Sequence, residues 1–98
     1  MIIVTGSITA RPETFDEVLR LSLEHVHRSR TEPGCLLHAA HRDVENPMRL
    51  FFFEQWQDRA ALTAHFAAPE SRGFVKAVAP LAGGPSSLDI FDAVSTRL

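Results

Sequence analysis

One stretch, Leu50 to Phe66 (LFFFEQWQDRAALTAHF), constrains the fold more than any other part of the chain. Leu50 to Trp56 is bulky, aromatic and free of Gly and Pro, which predicts a pleated strand. Successive strand side chains point to opposite faces, so Leu50, Phe52, Glu54 and Trp56 share one face. Arg49, Phe51, Phe53 and Gln55 share the other. Both faces carry Phe, so the sheet is expected to be covered on both sides. Asp58 suits a helix N-cap, where its carboxylate accepts from a free backbone N–H. Arg59 to Phe66, rich in Ala and Leu, continues as helix.

The flanking segments repeat this alternation. Ile2 to Ala10 reads as a first strand, with Ile2, Val4, Gly6 and Ile8 on one side. Pro12 suits the first turn of a helix, and Phe15, Val18, Leu19, Ser22, Leu23 and Val26 form its apolar stripe. Glu32-Pro33-Gly34-Cys35 stops it. Cys35 to Arg42 is a second strand, with Leu36, His38 and Ala40 on one side, and Asp43 to Pro47 a polar turn. Pro69 breaks the chain between Ala67 and Ser71, after which Ser71, Phe74, Val75, Val78 and Leu81 form another helical stripe. Leu88 to Val94 is the last strand. The order β-α-β-β-α-β, its second helical region broken in two, is the ferredoxin-like arrangement of the α+β class. Helices normally cover one face of such a sheet; the second apolar face predicts a homodimer.

With 98 residues, the whole of 1–98 is expected to form one domain. A net charge of −2 without a basic run gives no footprint for nucleic acid or an anionic membrane. No apolar run approaches a bilayer span, and Met1 to Ile8 reads as a strand, not a signal peptide. The single cysteine, Cys35, excludes an internal disulfide and fits a reducing cytoplasm; it is expected to be a buried small hydrophobe.

Two motifs are the most specific features: Ser29-Arg30-x-Glu32-Pro33-Gly34-Cys35, and Phe53-Glu54-Gln55-Trp56-x-Asp58-x-x-Ala61-Leu62-x-x-His65. With these the chain resembles, over nearly its whole length, the antibiotic biosynthesis monooxygenase family of small dimeric α+β barrels. That resemblance implies a spread of activities: cofactor-independent oxygenation of hydroquinones and phenolic polyketides, heme degradation, and isomerisation of a phosphorylated signalling sugar. The family's heme degraders resemble one another in an Asn on the first strand and a heme-ligating His in the last helix. This chain has Thr5 and Ser7 in the strand and no His from Ser71 to Leu81.

His65 is the candidate base, because imidazole titrates near neutral pH; alternatively it only packs against the sheet. Glu54 is the candidate that orients it, or else a structural acceptor or a partner for Arg72. Trp56, with Phe52 and neighbouring Phe residues, is a candidate wall for an aromatic substrate, although a strand-terminal Trp is more often core. His38 and Arg72 are further candidates for substrate contact. His25 and His27 point about 200° apart on a helix, and His38 and His41 fall on opposite strand faces. No HExxH or CxxC is present, so no metal is expected, and no flavin, heme or other cofactor either.

The leading expectation is a cofactor-independent monooxygenase that oxidises a quinol or other phenolic aromatic with O₂. The alternatives are an isomerase of a small carbonyl compound, phosphorylated or not, using Arg72, Lys76 or Arg42, and a non-catalytic dimeric protein that binds an apolar metabolite.

Overall fold

The computed structural model describes residues 1–96; Arg97 and Leu98, included in the expected domain, lie outside the described residues. In chain order the elements are β1 (Ile2–Thr9), α1 (Phe15–Ser29), β2 (Cys35–Arg42), β3 (Arg49–Trp56), α2 (Arg59–Ala67), α3 (Pro69–Val78) and β4 (Ser87–Asp92), with a short 3₁₀ turn at Ala79–Leu81 between α3 and β4. All strand pairs are antiparallel, in the spatial order β2-β3-β1-β4. This is the expected ferredoxin-like sheet, with its three α-helices against one face.

Two helix starts differ from the sequence expectation, each for a local reason. Helix α1 begins at Phe15, so Pro12 belongs to the preceding turn. That turn is closed by Thr14, whose N–H donates to the Arg11 carbonyl and whose hydroxyl donates to the Leu81 carbonyl at 2.7 Å. Pro69 starts α3 instead of breaking the chain around it, because a first-turn proline has no N–H to satisfy. The break is Ala68 alone, in extended conformation. Asp58 caps α2 as expected, accepting from Ala61 N at 2.9 Å.

The helix-facing side of β3 is buried at Leu50, Phe52, Glu54 and Trp56. Ala10, Phe15, Val18, Val26, Leu50 and Phe52 form one apolar cluster, with Phe74 packed against it, and Ile2, Val4, Trp56 and Leu62 form a second. The opposite sheet face is less covered. Ile3, Phe51 and Phe53 are half-buried, while Leu37 and Phe91 are exposed.

One irregularity sets the site. Cys35 pairs with Trp56, but Leu37 already pairs with Gln55, so Leu36 is an extra, bulged residue. The ladder beyond it places His38 directly opposite Glu54. Arg30, at the end of α1, donates from Nε to the His38 carbonyl at 2.9 Å and ties this strand to the helix.

Candidate functional site

The approach of α2 to the turn after α1 begins the site. Gly34 has φ 83°, and a Cβ there would lie 2.5 Å from the Cβ of Ala61, so only glycine fits. Gln57 N–H donates to the Gly34 carbonyl at 2.8 Å and fixes the approach. Glu32, two residues before Gly34, is thereby brought against His65 on α2, with 2.5 Å between Glu32 Oε1 and His65 Nδ1. A carboxylate only accepts, so Nδ1 carries the ring proton and Nε2 the lone pair. His65 is buried, and its ring lies over Trp56 at 4.5 Å between centroids.

Glu54, expected to orient His65, stands on the other side of the ring. Its Oε1 is 4.0 Å from His65 Nε2, 3.4 Å from His38 Nε2, and accepts from the Trp56 indole N–H at 2.9 Å. Burial works to raise the Glu54 pKa; the His38 imidazole, the Trp56 N–H and His65 outweigh it and leave the carboxyl below its ordinary value.

A third imidazole completes the group. His25 on α1 stacks on Phe74 at 4.2 Å, and its Nδ1 accepts from Arg28 at 2.5 Å. Burial first, then the charges of His38, His65 and Arg28, lower its pKa to about 3. One ring nitrogen from each of His25, His38 and His65 lies within 4.8 Å of the others. The sequence expectation of no metal rested on the absence of HExxH and CxxC and on comparing histidines close in the chain, His25 with His27 and His38 with His41. The fold instead joins one histidine each from α1, β2 and α2.

Between sheet and helices a cavity of about 330 Å³ opens onto this group. His65, Glu54 and His25 reach its wall, together with Phe52, Phe66, Phe74, Val78 and Leu88, and Ser7, Ser71 and Ser87 add hydroxyls. The expected site residues divide accordingly. His65, Glu54 and Phe52 line the cavity. Trp56 and His38 are buried behind it, Trp56 as core carrying a hydrogen bond to Glu54. Arg72 stands apart on the surface, donating to the Ala67 carbonyl, and does not meet Glu54. Cys35 is half-buried at the start of β2.

The sequence pattern of the antibiotic biosynthesis monooxygenase family matches residues 1–77. The chain belongs to that family. The uncharacterized protein sll1783 of Synechocystis is 33% identical over 98% of this chain, and the chain spans 65% of that protein's length. YcnE of Bacillus subtilis is 29% identical over 100% of this chain and 98% of its own. A crystal structure of an antibiotic biosynthesis monooxygenase matches with a TM-score of 0.88 at 33% identity, covering 97% of this chain and 100% of that one.

In this member of the antibiotic biosynthesis monooxygenase family, sequence reasoning missed Glu32 and His25 as site residues. Glu32 lies inside the first motif, where it read as part of a helix stop. His25 carried a weak signal: a histidine one residue before Val26 on the inner side of α1, eligible for burial but with no neighbour in the chain to reveal its partners. No helix among the described residues is long and apolar enough to cross a membrane.

Proposed function

We propose that this protein is a cofactor-independent monooxygenase that oxidises a quinol or other electron-rich phenol with O₂, with His65 as the base. The observation that carries the reading is the Glu32–His65–cavity arrangement. A carboxylate on Nδ1 orients the imidazole and stabilises its charged form, and the cavity on the other side is largely apolar.

His65 Nε2 takes the phenolic proton. The phenolate reduces O₂ by one electron, the two radicals combine at a ring carbon that bears hydrogen, and the protonated His65 returns its proton to the resulting peroxide anion to give a hydroperoxide. Loss of water then leaves a carbonyl at that carbon, so one oxygen atom enters the product and the other departs as water. The substrate supplies all the electrons. A volume of about 330 Å³ falls at the low end of small-molecule pockets, roughly 300–1,000 Å³, and suits one small aromatic molecule.

The cavity lining includes no Lys or Arg among the described residues, which disfavours a phosphorylated isomerase substrate. Arg42 stacks over Phe15 at 4.0 Å, and Lys76 lines a separate surface groove. The proposal includes a homodimer that covers the second sheet face, where Leu37 and Phe91 are exposed. Oxygen uptake against a panel of quinols and phenols tests the activity. Uptake with one of them that is lost in His65→Ala supports the reading, and no uptake with any of them rejects it.

A further inference from the structure

We propose that His25, His38 and His65 form a binding site for one divalent transition-metal ion of the Zn²⁺ class. This goes beyond the monooxygenase reading, which uses one of the three as a base and assigns nothing to the other two.

The three rings form a nearly equilateral group, with centroids 5.3, 5.3 and 5.5 Å apart. Three imidazoles around one ion at metal–nitrogen distances of about 2.0–2.1 Å stand at a comparable spacing, about 5–5.5 Å between rings. Small ring rotations bring the nitrogens, already within 4.8 Å of each other, to ligating distance. Three neutral nitrogen donors select a borderline ion such as Zn²⁺, Co²⁺, Ni²⁺ or Cu²⁺ over Mg²⁺ or Ca²⁺.

A second observation points independently to a ligand. His38 is 1% exposed; its Nδ1 has no hydrogen-bond partner among the described residues, and its Nε2 meets only the Glu54 carboxylate, at 3.4 Å. A fully buried ring nitrogen without a partner is unfavourable, and turning the ring to coordinate an ion resolves it.

The surroundings fit a cation. Glu32 on His65 Nδ1 reproduces the carboxylate–histidine–metal relay that aims the opposite nitrogen at an ion. Glu54 Oε1, at 3.4 Å from His38 Nε2 and 4.0 Å from His65 Nε2, is placed to add an oxygen ligand. Arg28 is the opposing charge, through its contact with His25 Nδ1. It has alternatives to turn to, since it also reaches Ser71 Oγ at 3.4 Å and Glu32 Oε2 at 3.9 Å. Against that one cation stand two carboxylates. A bound ion takes the His65 lone pair, so the loaded protein would lack its proposed base.

The test is isothermal titration of the chelator-stripped chain with Zn²⁺, and with Co²⁺ followed by visible absorption, without substrate. The expected result is one ion per chain at micromolar or tighter affinity, a higher Tm with Zn²⁺, and d–d bands of a low-coordinate Co²⁺ site. His38→Ala should weaken binding at least 100-fold, while the His27→Ala/His41→Ala double variant should bind as the wild type does. His25→Gln replaces His38→Ala if circular dichroism shows that the latter does not fold. Binding unchanged by loss of a cluster histidine, loss of binding in the double variant, or no binding by the wild type overturns the proposal. Because no turnover is read, each of these results leaves His65 as a base to be judged by oxygen uptake alone.

Discussion

Glu32 and His65 are 33 residues apart in the chain, yet a carboxylate oxygen of one lies 2.5 Å from Nδ1 of the other. On the proposed reading, Glu32 rather than Glu54, whose carboxylate is 4.0 Å from Nε2, is the residue that orients the imidazole. His65→Ala should lower kcat by about 10²–10⁴-fold, the usual contribution of one positioned base, with fold retained by circular dichroism. Glu32→Gln, whose amide can offer a donor to Nδ1 and so favour the wrong tautomer, should lower kcat more than Glu54→Gln does. Steady-state kinetics with the best quinol decides it; equal effects of the two glutamine variants contradict the assignment.

The second sheet face should be covered by another copy. Ile3, Phe51 and Phe53 are half-buried there and Leu37 and Phe91 exposed, and fully burying one such side chain stabilises by roughly 1.5–3 kcal/mol. Light scattering after size exclusion should give twice the chain mass, and Phe53→Arg should give the chain mass with the fold intact. A wild-type monomer at micromolar concentration refutes the dimer.

Gly34→Ala should destabilise the protein by about 1–3 kcal/mol or more, since the new methyl meets Ala61 while the backbone stays at positive φ. Urea unfolding measures this. The same substitution pushes α2 away from the Glu32 turn, so kcat should fall further than in Ala61→Gly. Relief of the destabilisation in the Gly34→Ala/Ala61→Gly double variant would locate the clash.

Cys35 should be a slow nucleophile at pH 8. Burial, then the charges of Glu54 and Glu32, push its pKa above the ordinary thiol value. Only the thiolate reacts, so a raised pKa leaves less of it at pH 8, and reactivity should keep rising above pH 9. Iodoacetamide rates over pH 7 to 10, compared with a free cysteine derivative, check the sign. A Cys35 rate equal to or above the free thiol at pH 8 disproves it.

The sequence by itself determined the order of elements, the cap at Asp58 and the faces of β3. These follow from period-two and period-3.6 patterns and from Pro, Gly and Asp positions, all local properties. It also singled out His65, Glu54 and Phe52 as site residues, because they sit in the strand-to-helix stretch that shapes the cavity. The tertiary structure alone decided their partners. A one-residue bulge at Leu36 places His38 opposite Glu54, where unbroken pairing from Cys35 would have placed Leu37. A close contact allowed only by Gly34 delivers Glu32 to His65, and the packing of α1 brings in His25. Register shifts and helix–turn approach distances depend on contacts between distant segments, so neighbouring residues in the chain carry almost no record of them. That is why the histidine group, assembled from three separate elements, was invisible to a reading of spacings along the chain.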